Sequence, residues 1–546
     1  MASTWQDHVA FAFFSAAASS WYFLVDKEVK APYLDEFFHV PQAQKYCAGD
    51  YTWDPKITTP PGLVQNFFAL LFVFFAILHI RRLISPRGHG QWKAEALHPK
   101  PNEDSLEEHV WTEKDQTPVN TALTAFNIAS FPPLFFFGAL YYTDIMSTGA
   151  VLISYSAFLR RAARPQMSII DDIFAVFIGV AALSFRQTNI FWVAVFPAGL
   201  TLIETLKENG RTTSSAIRQG YVAVLQQAWS EGTVYDRSLR DGGLAVSDAT
   251  MLLLTAAIAA LGRPIKILRA VLPYIILLAL FAGFVVWNGS VVLGDKSAHT
   301  ATIHIPQMLY IWPYIALFSA PILIGPLFTC VVHLLPAQLG TKLGVKRTSS
   351  YTVYPQVSQA VMFVALGLLA VHFNTIIHPY TLADNRHYVF YVFRLLLRHP
   401  ALKYLAVPVY YVCFWLSIQS LAHPTADPEI KNITIVAKPP GEAEKISKSP
   451  ARISFIVIWL LTTALSVVTA PLVEPRYFII PWIIWRLHVP YSPTSISVAG
   501  RAYTADLRVI FEAIWLVAMN QVLGHMFLYR TFTWPSEPGK VQRFLW

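Results

Sequence analysis

The sequence predicts an all-α polytopic membrane protein. Three observations carry this. Of 546 residues, 54% are hydrophobic and only 14% are charged. The apolar residues fall into blocks near the roughly 20 residues that span a bilayer as a helix. Lys and Arg gather in alternate connections between the blocks, as they do where connections stay in the cytosol. The net charge of +9 therefore records topology, and no nucleic-acid partner is expected.

The blocks follow in order. Residues 8–25 open behind Asp7 with no preceding Lys or Arg, which reads as an uncleaved first helix and not a signal peptide. Block 62–80 starts behind Pro60-Pro61, a pair that fixes the backbone at a helix entry, and stops at Arg81-Arg82. Block 121–142 is mostly apolar, 145–159 ends at the basic "RRAAR" of 160–164, and 169–185 and 190–205 are parted only by "RQTN". Blocks 271–288, 308–334, 356–377, 404–421, 453–473 and 505–529 complete a set of twelve. Two shorter runs, 249–262 and 478–489 (interrupted by Pro481), raise the expectation to 12–14 transmembrane helices in one domain, 1–546. Three cysteines, Cys47, Cys330 and Cys413, give neither a disulfide framework nor a zinc site.

Segments 81–118, 160–164, 207–269, 342–347 and 431–452 hold the excess of Lys and Arg and are assigned to the cytosol. Within them, 81–118 and 423–450 read as polar linkers and 207–247 as an amphipathic segment. The opposite face receives the first loop, 26–61, and the turns near 186, 288–307, 378–388 and 474–477. Arg394, Arg398 and Lys403 break the pattern, and 388–400 is read as an interfacial helix whose cations reach toward lipid head groups. The sequon at Asn432 falls in the cytosol, and that at Asn288 lies tight against a span.

The chemistry gathers on that opposite face. "PYLDEFFHVPQAQKY" (32–46) brings adjacent acids, Asp35 and Glu36, whereas "RQTN", "GDKSAHTATIH", "HPYTLADNRHY" and "EPRY" each bring a cation: Arg186, Lys296, Arg386 and Arg476. Ionisable groups at membrane boundaries are costly and point to function. Guanidinium and ammonium groups neutralise phosphate, and a carboxylate near a hydroxyl removes its proton as a new bond forms. Together they suit transfer of a group from a phosphate leaving group to an alcohol. Plainer roles exist for each: Asp35 or Glu36 as a helix cap, Arg476 paired with Glu474, Lys296 paired with Asp295, and Arg386-His387 as a snorkelling pair. No compact spacing of His and acidic residues suggests a metal site, and no obligatory metal or other cofactor is expected.

Those stretches, with "WDPKITTPPGL", "RQTNIFW", "GDKSAHTATIHIPQ", "EPRYFIIP" and the closing "TFTWP…QRFLW", resemble the dolichyl-phosphate-glucose-dependent alpha-1,2-glucosyltransferases of the endoplasmic reticulum. The resemblance runs in order from about residue 8 to the C-terminus. It implies a GT-C-type glycosyltransferase in the endoplasmic reticulum membrane, with a lumenal active site, dolichyl phosphate glucose as donor and a dolichyl-diphosphate-linked oligosaccharide as acceptor. By that resemblance Asp35 is the catalytic base of an inverting reaction, with Glu36 the second candidate or its positioning partner and Asp54 in reserve. Donor phosphate is assigned to Arg386, His387, Arg476, Lys296, Arg186 and His378. Sugar or acceptor contacts are assigned to His39, Gln42, Asp54, Thr58, Thr59, Gln187, Asn189, Asp295, His299, His304, Asp384 and Asn385. The alternatives are a secondary transporter, or a transferase of the same class using mannose or another acceptor; the first is disfavoured because the charges lie at one face and no halves match.

Overall fold

The computed structural model describes residues 5–59, 66–84, 113–164, 168–207, 220–239, 244–294, 296, 302–334, 355–422, 451–470, 472–492, 494–498 and 501–546. Asp295, His299 and the segment 423–450 lie outside the described residues, as does most of 81–118.

The fold is all-α, with two short hairpins. The helices are α1 (Trp5–Glu28), α2 (Glu36–Cys47), α3 (Asn66–Ile84), α4 (Glu113–Ala129), α5 (Pro132–Phe137), α6 (Asp144–Ala162), α7 (Ile169–Phe185) and α8 (Phe196–Lys207). Then come α9 (Tyr221–Ser230), α10 (Val246–Leu261), α11 (Pro264–Asn288), α12 (Gln307–Phe318), α13 (Ala320–Leu334) and α14 (Val357–Asn374). The chain closes with α15 (Pro379–Ala383), α16 (Tyr388–Leu396), α17 (Leu402–Gln419), α18 (Ile453–Val467), α19 (Ile479–His488) and α20 (Leu507–Tyr529). Strands β1 (Thr494–Val498) and β2 (Arg501–Ala505) pair antiparallel, as do β3 (Phe532–Thr533) and β4 (Val541–Gln542).

Among the described residues, α1, α11, α14 and α20 are long and apolar enough to cross a membrane; α12 with residues 320–328 makes a fifth if that pair, bent by 92°, is one broken span. Their outer faces carry large exposed apolar side chains, such as Ile265, Val286 and Trp287 on α11, as lipid-facing helices require. Several expected blocks are shorter or broken. Block 308–334 divides at Ser319 between α12 and α13. Block 121–142 divides into α4 and α5, because Pro132 and Pro133 cannot continue α4 and instead open α5. Block 453–473 stops at Val467, and 190–205 begins with a π turn, Phe191–Val195. The two doubtful runs are both helical, as α10 and α19, and α11 starts earlier than expected, at Pro264.

The first loop is not irregular throughout: it contains α2. The hairpin of β1 and β2, which precedes α20, is an addition to the all-α expectation.

Aromatic packing fixes the centre of the bundle. Phe131 stacks on Trp482 with ring centroids 3.8 Å apart, and Trp459 and Trp485 are fully buried. Deep in this core Arg486 of α19 forms a bidentate pair with Glu512 of α20, at 2.7 and 2.6 Å, and Asn127 of α4 donates to the same carboxylate. The sequence reading did not find this pair. It ties three helices by groups that would be costly alone.

The polar connections sort into two ends. At one end Asp7 pairs with Arg82, Arg161 with Asp172, Arg164 with Asp171 and Lys207 with Asp236. At the other, the first loop, residues 138–143, 186–190, 289–294, 375–387, 472–478 and the segment after α20 meet one another.

Candidate active site

The first loop is fixed by close backbone packing and by side-chain amides. Gly294 lies so close to the chain at 55–57 that a Cβ there would fall 2.3 Å from the Ile57 carbonyl oxygen, so the position demands glycine. Gln187 Nε2 donates to the Thr58 carbonyl at 3.1 Å and the Leu293 amide to the same carbonyl at 3.4 Å. Gln42 is buried and bridges the loop, donating to the Thr52 carbonyl and accepting from the Asp54 amide, each at 2.7 Å. Asp54 accepts from the Lys56 amide at 2.9 Å.

At the start of α2 the chain is strained. Leu34 has φ 51°, the left-handed region that costs a non-glycine residue about 1–2 kcal/mol. Flanking bonds hold it there. Tyr33 donates its hydroxyl to the Arg543 carbonyl at 2.8 Å and accepts from the Arg543 amide at 2.7 Å. Glu36 accepts from the Tyr33 amide at 3.0 Å and the Tyr141 amide at 2.6 Å. Burial raises the Glu36 carboxyl above its ordinary range, only partly opposed by those two amides. Both of its oxygens are therefore occupied within the protein.

Asp35 is different. It stands at the N-cap of α2 but makes no side-chain capping bond. Instead Oδ2 accepts from Arg476 Nη1 at 3.0 Å, while 45% of its side-chain surface remains exposed. Burial works to raise its carboxyl, and Arg476, aided by His39 and His387, overcomes this and holds it below the usual carboxylate range.

Arg476 is the hub. Nη2 bonds Glu474 at 2.8 Å, Nη1 approaches Asp144 Oδ2 at 3.6 Å, and the guanidinium lies against the adjoining rings of Phe137 and Tyr142, 5.4 and 5.2 Å from their centroids. Asp144, at the first turn of α6, is buried, and its Oδ1 accepts from Arg186 at 2.8 Å. Arg186 in turn lies over Tyr477, 5.7 Å from the ring centroid. Two guanidiniums thus face three carboxylates, Asp35, Asp144 and Glu474. Sequence reading missed Asp144. The one signal was an acid opening an apolar helix at the same face as Arg186, 42 residues away.

A second cation cluster adjoins. Arg386 forms a fork with Asp384, 2.7 Å at its closest, bonds Gln542 at 3.1 Å and lies over Trp534, 4.6 Å from the ring centroid. His387 Nδ1 meets the Trp546 carbonyl at 2.8 Å, and residues 386–388 bridge in parallel to Leu545. Asn385 accepts from Trp534 Nε1 at 2.8 Å. The segment after α20 therefore ties the loop that carries Asp35 to Arg386-His387. Beyond, Arg394 and Arg398 line an open groove of about 700 Å³ with Leu382, Leu395 and Leu397.

The remaining candidates are placed as follows. His39 Nδ1 meets the Tyr141 carbonyl at 2.9 Å, with its ring edge-on to Tyr142, 5.9 Å between centroids. Thr58 serves through its carbonyl, and Thr59 is buried. Asn189 is buried against Ser147 and the Ala182 carbonyl. Lys296 donates to the Asn288 carbonyl at the end of α11. His304 is fully buried, accepts from the Ile376 amide at 3.3 Å, and is lowered to about 4 by burial. His378 caps α15 by accepting from the Tyr380 amide. Among the described residues no three of His, Cys, Asp and Glu gather as a metal-binding group.

The fold is that of an all-α, polytopic membrane protein with a carboxylate–guanidinium cluster at one end, and its relatives make it a glycosyltransferase. The chain belongs to the DIE2/ALG10 family, whose profile matches residues 29–487. It is 37% identical to the Dol-P-Glc:Glc(2)Man(9)GlcNAc(2)-PP-Dol alpha-1,2-glucosyltransferase of Emericella nidulans, over 96% of each chain. The protein of that name from Aspergillus fumigatus is likewise 37% identical over 96% of each chain, and that from Mus musculus 29% identical over 98% of this chain and 99% of its own. No solved structure matches.

Proposed function

We propose that the protein transfers glucose from dolichyl phosphate glucose to the terminal glucose of a dolichyl-diphosphate-linked oligosaccharide, forming an alpha-1,2 linkage with inversion, at the lumenal face of the endoplasmic reticulum membrane. The names of the relatives support donor, acceptor and linkage. The observation that carries the chemistry is the half-exposed Asp35 carboxylate set 3.0 Å from Arg476.

In this reading the acceptor hydroxyl oxygen attacks C1 of glucose on the face opposite the phosphate. The C1–O bond breaks, its electron pair leaves with dolichyl phosphate, and the hydroxyl proton passes to Asp35. Arg386 and His387 supply positive charge for the departing phosphate, where such stabilisation is a large catalytic term, while Arg186 and Arg476 are engaged with Asp144, Glu474 and Asp35 on the side of the base. We take no divalent metal to be required, since Arg386 and His387 serve the phosphate; a chelator should leave the rate unchanged. The Arg394–Arg398 groove, apolar and cationic together, supports delivery of a lipid-borne phosphate from the bilayer.

The test is transfer by purified protein in lipid, with dolichyl phosphate glucose or mannose and a diglucosylated acceptor. Glucose transfer by the wild type, and its loss in a folded Asp35→Ala variant, is expected. Transfer from mannose alone, undiminished transfer by the variant, or transport without transfer overturns the reading.

A further inference from the structure

A carboxylate tied to a guanidinium is a weak base, and proton transfer is most effective when the base is matched to the working pH. Asp35 is so tied. The geometry around Arg476 offers a release. Its Nε and Nη2 both lie on Glu474 Oε2, at 3.1 and 2.8 Å, so the rigid, planar guanidinium can tilt only as one body about that oxygen, carrying Nη1 with it. That same nitrogen stands 3.0 Å from Asp35 Oδ2 and 3.6 Å from Asp144 Oδ2. Asp144 Oδ2 is buried and has no hydrogen-bond partner among the described residues, although Oδ1 is fixed by Arg186 at 2.8 Å. Buried polar atoms are seldom left so.

We propose that Asp144 is a positioning residue whose Oδ2 receives Arg476 Nη1 as Asp35 takes the acceptor's proton. Closing 3.6 Å to an ordinary bond of about 2.9 Å needs a shift of well under an ångström. The charge count fits: with Asp35 ionised the cluster of Arg186, Arg476, Asp35, Asp144 and Glu474 carries one excess negative charge, and with Asp35 protonated it is neutral. Each ångström that Arg476 moves away makes Asp35 a stronger base when the hydroxyl attacks. The inference rests on the transfer reading above.

The other groups facing this exchange are Glu36 and His39 on α2, Tyr142 before α6, His387 at the head of α16, and Tyr477 beside Arg476. None of them changes in the test. In Asp144→Asn the second acceptor is weakened and Arg476 stays on Asp35. We expect kcat to fall by about 10- to 100-fold, KM for the donor to hold, and the acid limb of the kcat–pH profile to move to lower pH. Because this variant leaves Arg186 without its carboxylate, Asp144→Asn/Arg186→Gln, neutral at both positions, serves if the single variant does not fold; the same displacement of the acid limb is expected. A folded variant with wild-type kcat and an unmoved acid limb overturns the inference, as does a raised KM with kcat intact. Failure of the wild type to transfer glucose would instead remove the reading beneath it.

Discussion

Asp35 and Glu36 are neighbours in the chain, yet Asp35 meets the Arg476 guanidinium at 3.0 Å with nearly half its side chain exposed, while Glu36 spends both oxygens on the amides of Tyr33 and Tyr141. The strained turn at Leu34 sets this divergence. Substitution separates the two roles. Asp35→Asn should keep the fold, because Arg476 retains Glu474 and Asp144, and lose about 10²- to 10⁴-fold in kcat. Glu36→Gln leaves a buried amide short of a charged acceptor and should cost about 1–3 kcal/mol of stability, with the shape of the kcat–pH profile kept. Thermal unfolding beside turnover measures both. A rate loss in Glu36→Gln equal to that of Asp35→Asn, at full stability, would reverse the assignment.

Tyr33 and Arg543 exchange two hydrogen bonds across 510 positions. Tyr33→Phe removes both and strands the Arg543 amide, at about 1–3 kcal/mol. Hydrogen exchange should then rise at 541–546 before it rises in the helices. Unchanged protection at Arg543 would mean that the segment is held elsewhere.

His304 makes stability depend on pH. Its folded value, about 4, lies below the ordinary 6.5, so the folded state favours the neutral ring that accepts the Ile376 amide. The contribution is full above pH 6.5 and declines as pH falls through the window toward 4. Between pH 7.5 and 5.5 the loss should be about 1 kcal/mol. His304→Gln keeps an acceptor but not the titration, so its unfolding temperature should fall less over that interval; parallel falls would exclude His304 as the source.

The Arg486–Glu512 pair predicts an asymmetry. Glu512→Gln leaves a guanidinium buried without its counter-charge and should cost about 3–5 kcal/mol, whereas Arg486→Met with Glu512→Leu should cost less, about 1–3 kcal/mol, for the Asn127 N–H that it strands. Unfolding in detergent distinguishes them. Equal destabilisation by both would show that the pair contributes net stability beyond its burial.

The sequence by itself determined that this is an apolar, helical, multi-pass chain, and which polar stretches stand at its two ends, because the bilayer's demand for long apolar runs and the bias of Lys and Arg are written locally. It also pointed to Asp35, and to the adjacency of Arg476 with Glu474, two positions apart. Only the tertiary structure decided that Arg476 reaches 441 positions back to Asp35, that Asp144 joins it to Arg186, that Glu36, Gln42 and Asn189 are occupied in holding loops, and that Arg543 braces Tyr33. Hydropathy says that a charge at a helix end needs a partner. Which partner it meets depends on how distant helix ends are brought together, and that is set by the packing of the whole bundle.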